Sequence, residues 1–198
     1  MKRPILILIA LAVVVAVTAL QAGAATKPHI EDPLNDANFI NDQGTGEGGG
    51  TVTPADAATV SDLLAVTFSN DKKKLYIDIE TEAAPPAISG IGYRVRVNPG
   101  DDGTHCLLFE VFHPGANNAL TAPRAHFVDA CEGTDPAEIE VLGTRLVIDR
   151  KLHKAFGKGG KLTAPQAQAF LFSGDYGAGV MGPYPDVTEV GTDFKFKK

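Results

Sequence analysis

Residues 61–82 read SDLLAVTFSNDKKKLYIDIETE. Leu64, Val66 and Phe68 fall on one parity, and Leu75, Ile77 and Ile79 alternate with Tyr76, Asp78 and Glu80. Side chains of a strand point alternately to opposite faces, so each run predicts a strand with one buried face. Asn70-Asp71 and the three lysines after it supply a polar turn between them. The pair predicts an antiparallel hairpin with a core forming against it.

The same alternation recurs along the chain. Tyr93, Val95 and Val97 alternate with Arg94, Arg96 and Asn98, and Pro99-Gly100-Asp101-Asp102-Gly103 follows as a turn cluster. His105 to His113 is apolar on both parities, which predicts a central strand covered on both faces. Arg124 to Cys131, Glu138 to Leu142, Thr144 to Arg150 and Ala167 to Ser173 read as further strands. Gly143 marks the turn between two of them. Phe194-Lys195-Phe196-Lys197 closes the chain as an edge strand with its lysines outward. Residues 152–156 have room for one helical turn, and no long 3.6-residue period is present. The expected fold is all-β, an antiparallel β-sandwich of about eight to ten strands, with a closed barrel as the alternative.

The 198-residue chain opens with Lys2 and Arg3, an unbroken apolar run of thirteen residues from Ile5 to Val17, and the small-residue site Ala22-Gly23-Ala24. That is the layout of an export signal, and its apolar core is shorter than the roughly 20 residues a spanning helix needs. The expectation is a signal peptide over 1–24, an acidic, Gly-rich leader over 25–61, and a β domain over 62–198. The protein would be secreted, with no membrane attachment after cleavage. The signal carries two of the eighteen basic residues and none of the twenty-four acidic ones, so the remainder has sixteen against twenty-four, a formal charge of −8. A net charge of that sign argues against nucleic acid or anionic lipid as a general partner.

Cys106 and Cys131 are the only cysteines. In an exported chain they predict a disulfide, and the spacing is not the Cys-x-x-Cys of redox enzymes. Its loop of about 25 residues would stabilise the fold by roughly 3.5 kcal/mol through chain entropy. His29, His105, His113, His126 and His153 show no zinc-type pairing and read as turn-end and surface residues. The four serines (Ser61, Ser69, Ser89 and Ser173) stand in no Gly-x-Ser-x-Gly. Gly157-Lys158-Gly159-Gly160-Lys161 lacks the phosphate-loop spacing.

The leader holds Asp32, Asp36, Asn38 and Asp42 within eleven residues, and Asp62 opens the first strong strand. Hard oxygen donors at this density are the ligand type calcium takes, so the expected metal is calcium on Asp32, Asp36, Asn38, Asp42 and Asp62. The competing reading is a solvated loop whose Asp and Asn side chains bond their own backbone. The rings available for stacking on a sugar are Tyr176 and Tyr184.

Asp32-Pro33-Leu34-Asn35-Asp36, then Asp62-Leu63-Leu64, then Leu75-Tyr76-Ile77-Asp78-Ile79 resemble the carbohydrate-binding family-nine-like and DOMON-like β-sandwiches of secreted bacterial proteins. The resemblance runs from about Asp32 to Val97. Asn35 stands where those modules usually carry glycine, and the chain has no tryptophan. What the resemblance implies is a non-catalytic extracellular module binding a glycan or cell-wall polymer, or haem in some relatives, for which Met181 with a histidine would be the axial pair. The alternative class is a small exported hydrolase with a loop-borne active site. A His–Asp pair or two convergent carboxylates in a deep pocket would mark it.

Overall fold

The computed structural model describes residues 27–33, 62–82, 91–100, 105–114, 120–173, 180–181 and 186–197. The chain is all-β, with every described strand pairing antiparallel in one large sheet curled into a half-barrel. In chain order the strands are β1 (Ile30–Glu31), β2 (Leu63–Asn70), β3 (Lys74–Thr81), β4 (Ile91–Pro99), β5 (Leu107–Phe112), β6 (Arg124–Asp129), β7 (Ala137–Leu142), β8 (Arg145–Asp149), β9 (Lys161–Ser173), β10 (Val180–Met181), β11 (Asp186–Val187) and β12 (Phe194–Lys195). The sheet runs β1-β2-β3-β8-β7-β6-β5-β4-β9-β10, and β11 and β12 pair with the other edge of β9. One 3-10 turn, Lys154–Phe156, is the only helical element among the described residues.

The β2–β3 hairpin forms as its pattern requires, with one change. Leu75, Ile77 and Ile79 are at most 2% exposed, while Tyr76 and Asp78 are half-buried and Glu80 is exposed. On β2, Val66 and Phe68 are buried, but Leu64 is only half-buried and Leu63 takes a core position. A bulge causes the change. Leu63 pairs with Thr81 and Ala65 with Glu80, so Leu64 is an extra residue and the parity flips across it. The turn is tied by Asp71, whose Oδ1 accepts from the amides of Lys73 at 2.6 Å and Lys74 at 2.7 Å.

β9 is longer than its apolar run. It begins at Lys161 and crosses Thr163-Ala164-Pro165, a turn-like string. Asn98 pairs with Thr163 and Arg96 with Gln166, so β9 holds one extra residue there. Proline cannot donate to a ladder, and the bulge is where it is tolerated. Ala164 takes a φ of 47°, and its amide donates to Asp193 Oδ1. The bulge separates the β12-paired start of β9 from its β11-paired middle.

β7 changes partners along its length. Its first half pairs with β6 and its second with β8, so it forms the corner of the curl. The concave face carries the main core, with Phe68, Ile77, Tyr93, Val95, Phe109, Leu146, Phe194 and Phe196 in one cluster. Phe156 of the 3-10 turn is fully buried and stacks within 6 Å of Phe109, Phe127 and Phe196, plugging one end. The free edges of the curl are drawn together by polar bonds. The Leu63 amide donates to Asp186 Oδ2 at 2.7 Å, and the Thr192 amide donates to the His29 carbonyl at 2.7 Å. Cys106 and Cys131 form the expected disulfide, with Cα atoms 5.2 Å apart.

Ile77 sits at the middle of the core, so Ile77→Ala is expected to cost about 2–5 kcal/mol in urea unfolding. Glu80→Ala, on the exposed side of the same strand, is expected to stay within about 0.5 kcal/mol.

Candidate functional site

Strand direction sorts the connections to two ends of the sheet. At one end lie the β2–β3 turn, the β8–β9 connection with its 3-10 turn, and the chain's final residues. At the other end depart the segments linking β3 to β4, β5 to β6 and β9 to β10, with the tight β7–β8 turn beside them.

At this second end a cleft of about 700 Å³ is lined by Ile79, Glu80, Thr81, His113, Pro123, Gly143 and Thr144. Tyr93 lies beneath it, fully buried, with its ring centroid 5.6 Å from that of His113 in an edge-on contact. Burial raises the Tyr93 phenol far above its ordinary value, and a hydrogen bond with Thr81 acts in the opposite sense. Burial also pushes His113 down to about 4. Neither group exchanges protons near neutrality. The ring and the phenol beneath the cleft are therefore both neutral there.

The plugged end is cationic. A cleft of about 640 Å³ is lined by Lys72, Lys73, Arg150, Lys151, Lys158 and Lys197, with Asp149 the one carboxylate among the described residues. Local backbone bonds set these residues in place. Asp71 and Asp149 each turn back on the chain, Asp149 Oδ1 accepting from the Lys151 amide at 2.9 Å. These backbone bonds hold both carboxyls below their ordinary values. Arg150 points inward, donating to the Phe156 carbonyl at 2.6 Å and the Asp71 carbonyl at 2.5 Å, its guanidinium 4.9 Å from the centre of the Phe196 ring.

Two buried side-chain ties lie outside these clefts. On the convex face Arg94, Glu110 and His126 are direct cross-strand neighbours on β4, β5 and β6. Arg94 and His126 each hydrogen-bond a different oxygen of Glu110. Burial would raise the Glu110 carboxyl, but the His126 hydrogen bond and the Arg94 charge outweigh it and hold it low. Phe112, Phe170 and Leu120 cover this tie, and the Phe170 ring lies directly over Gly92, where a Cβ would meet it at 2.4 Å.

The second tie is a His–Asp pair. His153 Nε2 lies 3.1 Å from Asp129 Oδ2, and His153 Nδ1 accepts from the Ala155 amide at 3.1 Å. Since Nδ1 accepts, the proton of the neutral ring sits on Nε2 and is donated to Asp129. Both ring nitrogens are thus committed, whereas a catalytic histidine turns its second nitrogen to a nucleophile. The pair anchors the plug to the disulfide corner, where Asp129 Oδ1 accepts from the amides of Cys131 and Glu132. Cys106, Asp129 and Cys131 are also the one grouping of metal-type donors among the described residues, and both sulfurs are spent in the disulfide.

The histidines correct the sequence expectation. His113 and His126 are buried, 5% and 6% exposed, because strand pairing carries them under neighbouring side chains. His29 Nδ1 accepts from the Phe68 amide, and His105 Nε2 bonds the Ala164 carbonyl. Of the expected calcium ligands, Asp32 and Asp62 both come to the start of β2. The Asp32 amide donates to Leu64 O, and Asp62, 1% exposed, accepts through its carbonyl from the Glu82 amide. Asp36, Asn38 and Asp42 lie outside the described residues, as do Tyr176 and Tyr184. Met181 is placed only by its backbone, opposite Phe172. Asp186, which sequence reasoning missed, reaches the same place through its bond to the Leu63 amide. Its one sequence signal is that it opens the short alternating string Asp186-Val187-Thr188.

Because His113 titrates lower in the folded state than its ordinary 6.5, the unfolded chain carries the extra proton between about pH 6.5 and about pH 4. Stability is therefore retained above this window and falls as pH drops through it. The half-buried His29 adds to the loss in the same direction, and Glu110 adds its own below about pH 4.5. His113→Gln is expected to remove about 2–3 kcal/mol of the loss in urea unfolding compared at about pH 7 and about pH 4.5. An unchanged pH slope would rule out a buried neutral His113. Comparison of the chain with family models, curated proteins and solved structures gives no match.

Proposed function

We propose that this protein is an exported, non-catalytic module that binds a glycan or cell-wall polymer, in the manner of the carbohydrate-binding family-nine-like and DOMON-like modules. The observation carrying the proposal is the segregation of connections. The links from β1 to β2, β3 to β4, β5 to β6 and β9 to β10 leave from the end of the sheet that holds the cleft formed by Thr81, His113 and Thr144. Rigid sheets that bear their variable connections at one end commonly bind there. Tyr176 and Tyr184 follow the end of β9 in the chain and are the proposed stacking rings. The finer architecture belongs to the same proposal: the half-barrel is flattened into a β-sandwich, with β7 as the strand that changes layers. Support for this is the single core shared by β2, β3 and β8 with β4, β5 and β9.

Calcium is proposed as a stabiliser at the start of β2, held by Asp32, Asp62, Asp36, Asn38 and Asp42, with Asp186 added to the set. The support is positional: the Asp32 amide bonds the Leu64 carbonyl, Asp62 precedes Leu63 in the chain, and the Asp186 carboxylate bonds the Leu63 amide. An ion there would tie the N-terminal segment and the β11 edge to β2.

Retention of the folded protein on insoluble polysaccharides or purified cell wall, lost in a Tyr176→Ala/Tyr184→Ala variant, is the expected result. Lack of retention on the whole panel would reject the function. With calcium at about a hundredfold excess over Kd, Tm is expected to rise by about 5–10 °C over the chelated protein. Asp62→Asn should reduce that rise, whereas superimposable melts would reject the metal.

A further inference from the structure

The plugged end has its own chemistry, opposite in sign to the chain as a whole. The formal charge of the chain is −6, yet six cationic side chains and one carboxylate line the cleft beside the 3-10 turn. Three of the nearby lysines have acidic partners: Lys74 with Asp149, Lys154 with Glu132 and Lys161 with Asp193. By contrast, the side chains of Lys72, Lys158 and Lys197 make no ion pair with a carboxylate among the described residues, and Lys73 and Lys151 act on Asp149 only through its longer-range field. Lys195 and Lys197 also border a smaller adjoining cleft with Lys158 and Gly159.

These cations come from four separate stretches: the β2–β3 turn, the end of β8, the link after the 3-10 turn and the chain's end. Mutual repulsion opposes that convergence, and the fold holds it with directed bonds. The Arg150 amide donates to the Lys73 carbonyl, and the Lys197 amide to Asn70 Oδ1 at 3.1 Å. The Phe196 amide donates to the Gly160 carbonyl. Arg150 forms a fixed positive floor, and flexible lysines stand around it.

We propose that this cleft is a second binding site, which takes a linear anionic polysaccharide through its sulfate, phosphate or carboxylate groups. Ammonium groups on flexible stems suit anions repeated at irregular spacing along a chain. A concave cleft admits a strand and not a planar bilayer, and the one exposed large apolar side chain at this end among the described residues, Leu152 at 42%, is too little for membrane insertion. Single-stranded nucleic acid binding uses exposed rings as stacking platforms, but Phe156 and Phe196 are 0% and 3% exposed. The site lies at the opposite end of the sheet from the proposed glycan cleft and does not depend on it.

The probe is heparin, with neutral dextran, phosphatidylglycerol vesicles and an oligodeoxynucleotide as the other arms. The full chain is expected to bind heparin with an affinity that falls at least about tenfold between low and physiological salt, as counterion release requires. Lys72→Gln/Lys158→Gln/Lys197→Gln is expected to weaken heparin binding at least about tenfold while leaving Tm unchanged. All three side chains are solvent-facing, and single Lys→Gln variants at each position supply the reading if the triple variant fails to fold. Lys27→Gln/Arg124→Gln, which removes charge elsewhere, should bind as the parent does. Failure to bind heparin, equal loss in the Lys27/Arg124 variant, or tighter binding to vesicles or to the oligonucleotide would each overturn the proposal. Retention on neutral polysaccharide through Tyr176 and Tyr184 is read separately and is unaffected by these lysines.

Discussion

The double pairing of β9 is the constraint on which the structure depends. One edge of this strand carries β4 and the rest of the sheet; the other carries β11 and β12. The segment between β11 and β12 reaches the first strand, where the Thr192 amide bonds the His29 carbonyl and Gly191 lies so close to it that a Cβ would meet the oxygen at 2.2 Å. Asp186 bonds the Leu63 amide from the same side. An open sheet exposes two rows of unpaired backbone groups. Here the far end of the chain supplies part of what each row lacks, and the curl follows.

That curl explains why the two ends differ. At one end the 3-10 turn seals the core with Phe156, and His153 locks it to Asp129 beside the disulfide. Rigidity at this end is what permits several lysines to be held near one another. At the other end the core stops at Tyr93 and His113, beneath the cleft. A net charge of −6 says little about either surface. Screening confines exposed charges to about 10 Å in ordinary salt, so the local arrangement decides what approaches.

Buried ionisable groups serve the scaffold. Glu110 is held charged by Arg94 and His126, in a row of neighbours across three strands. Removing one member would strand the others under Phe112 and Phe170, a costly arrangement. His153 has no nitrogen left over for proton transfer.

By itself the sequence determined the period-two strands, their turns and the disulfide, because alternation, Gly and Asx signals and two cysteines are local or nearly unambiguous. The Leu75/Ile77/Ile79 face, the 3-10 turn and the outward Lys195 and Lys197 were all legible for that reason. The bulges at Leu64 and at Ala164-Pro165 were not, since an extra residue in one strand is defined only by its partner's register. Nor were the burial of His113 and His126, the arrival of Asp186 beside Asp62's strand, or the lysine cleft. Each joins residues far apart in the chain, and only strand order and the curl of the sheet bring them together.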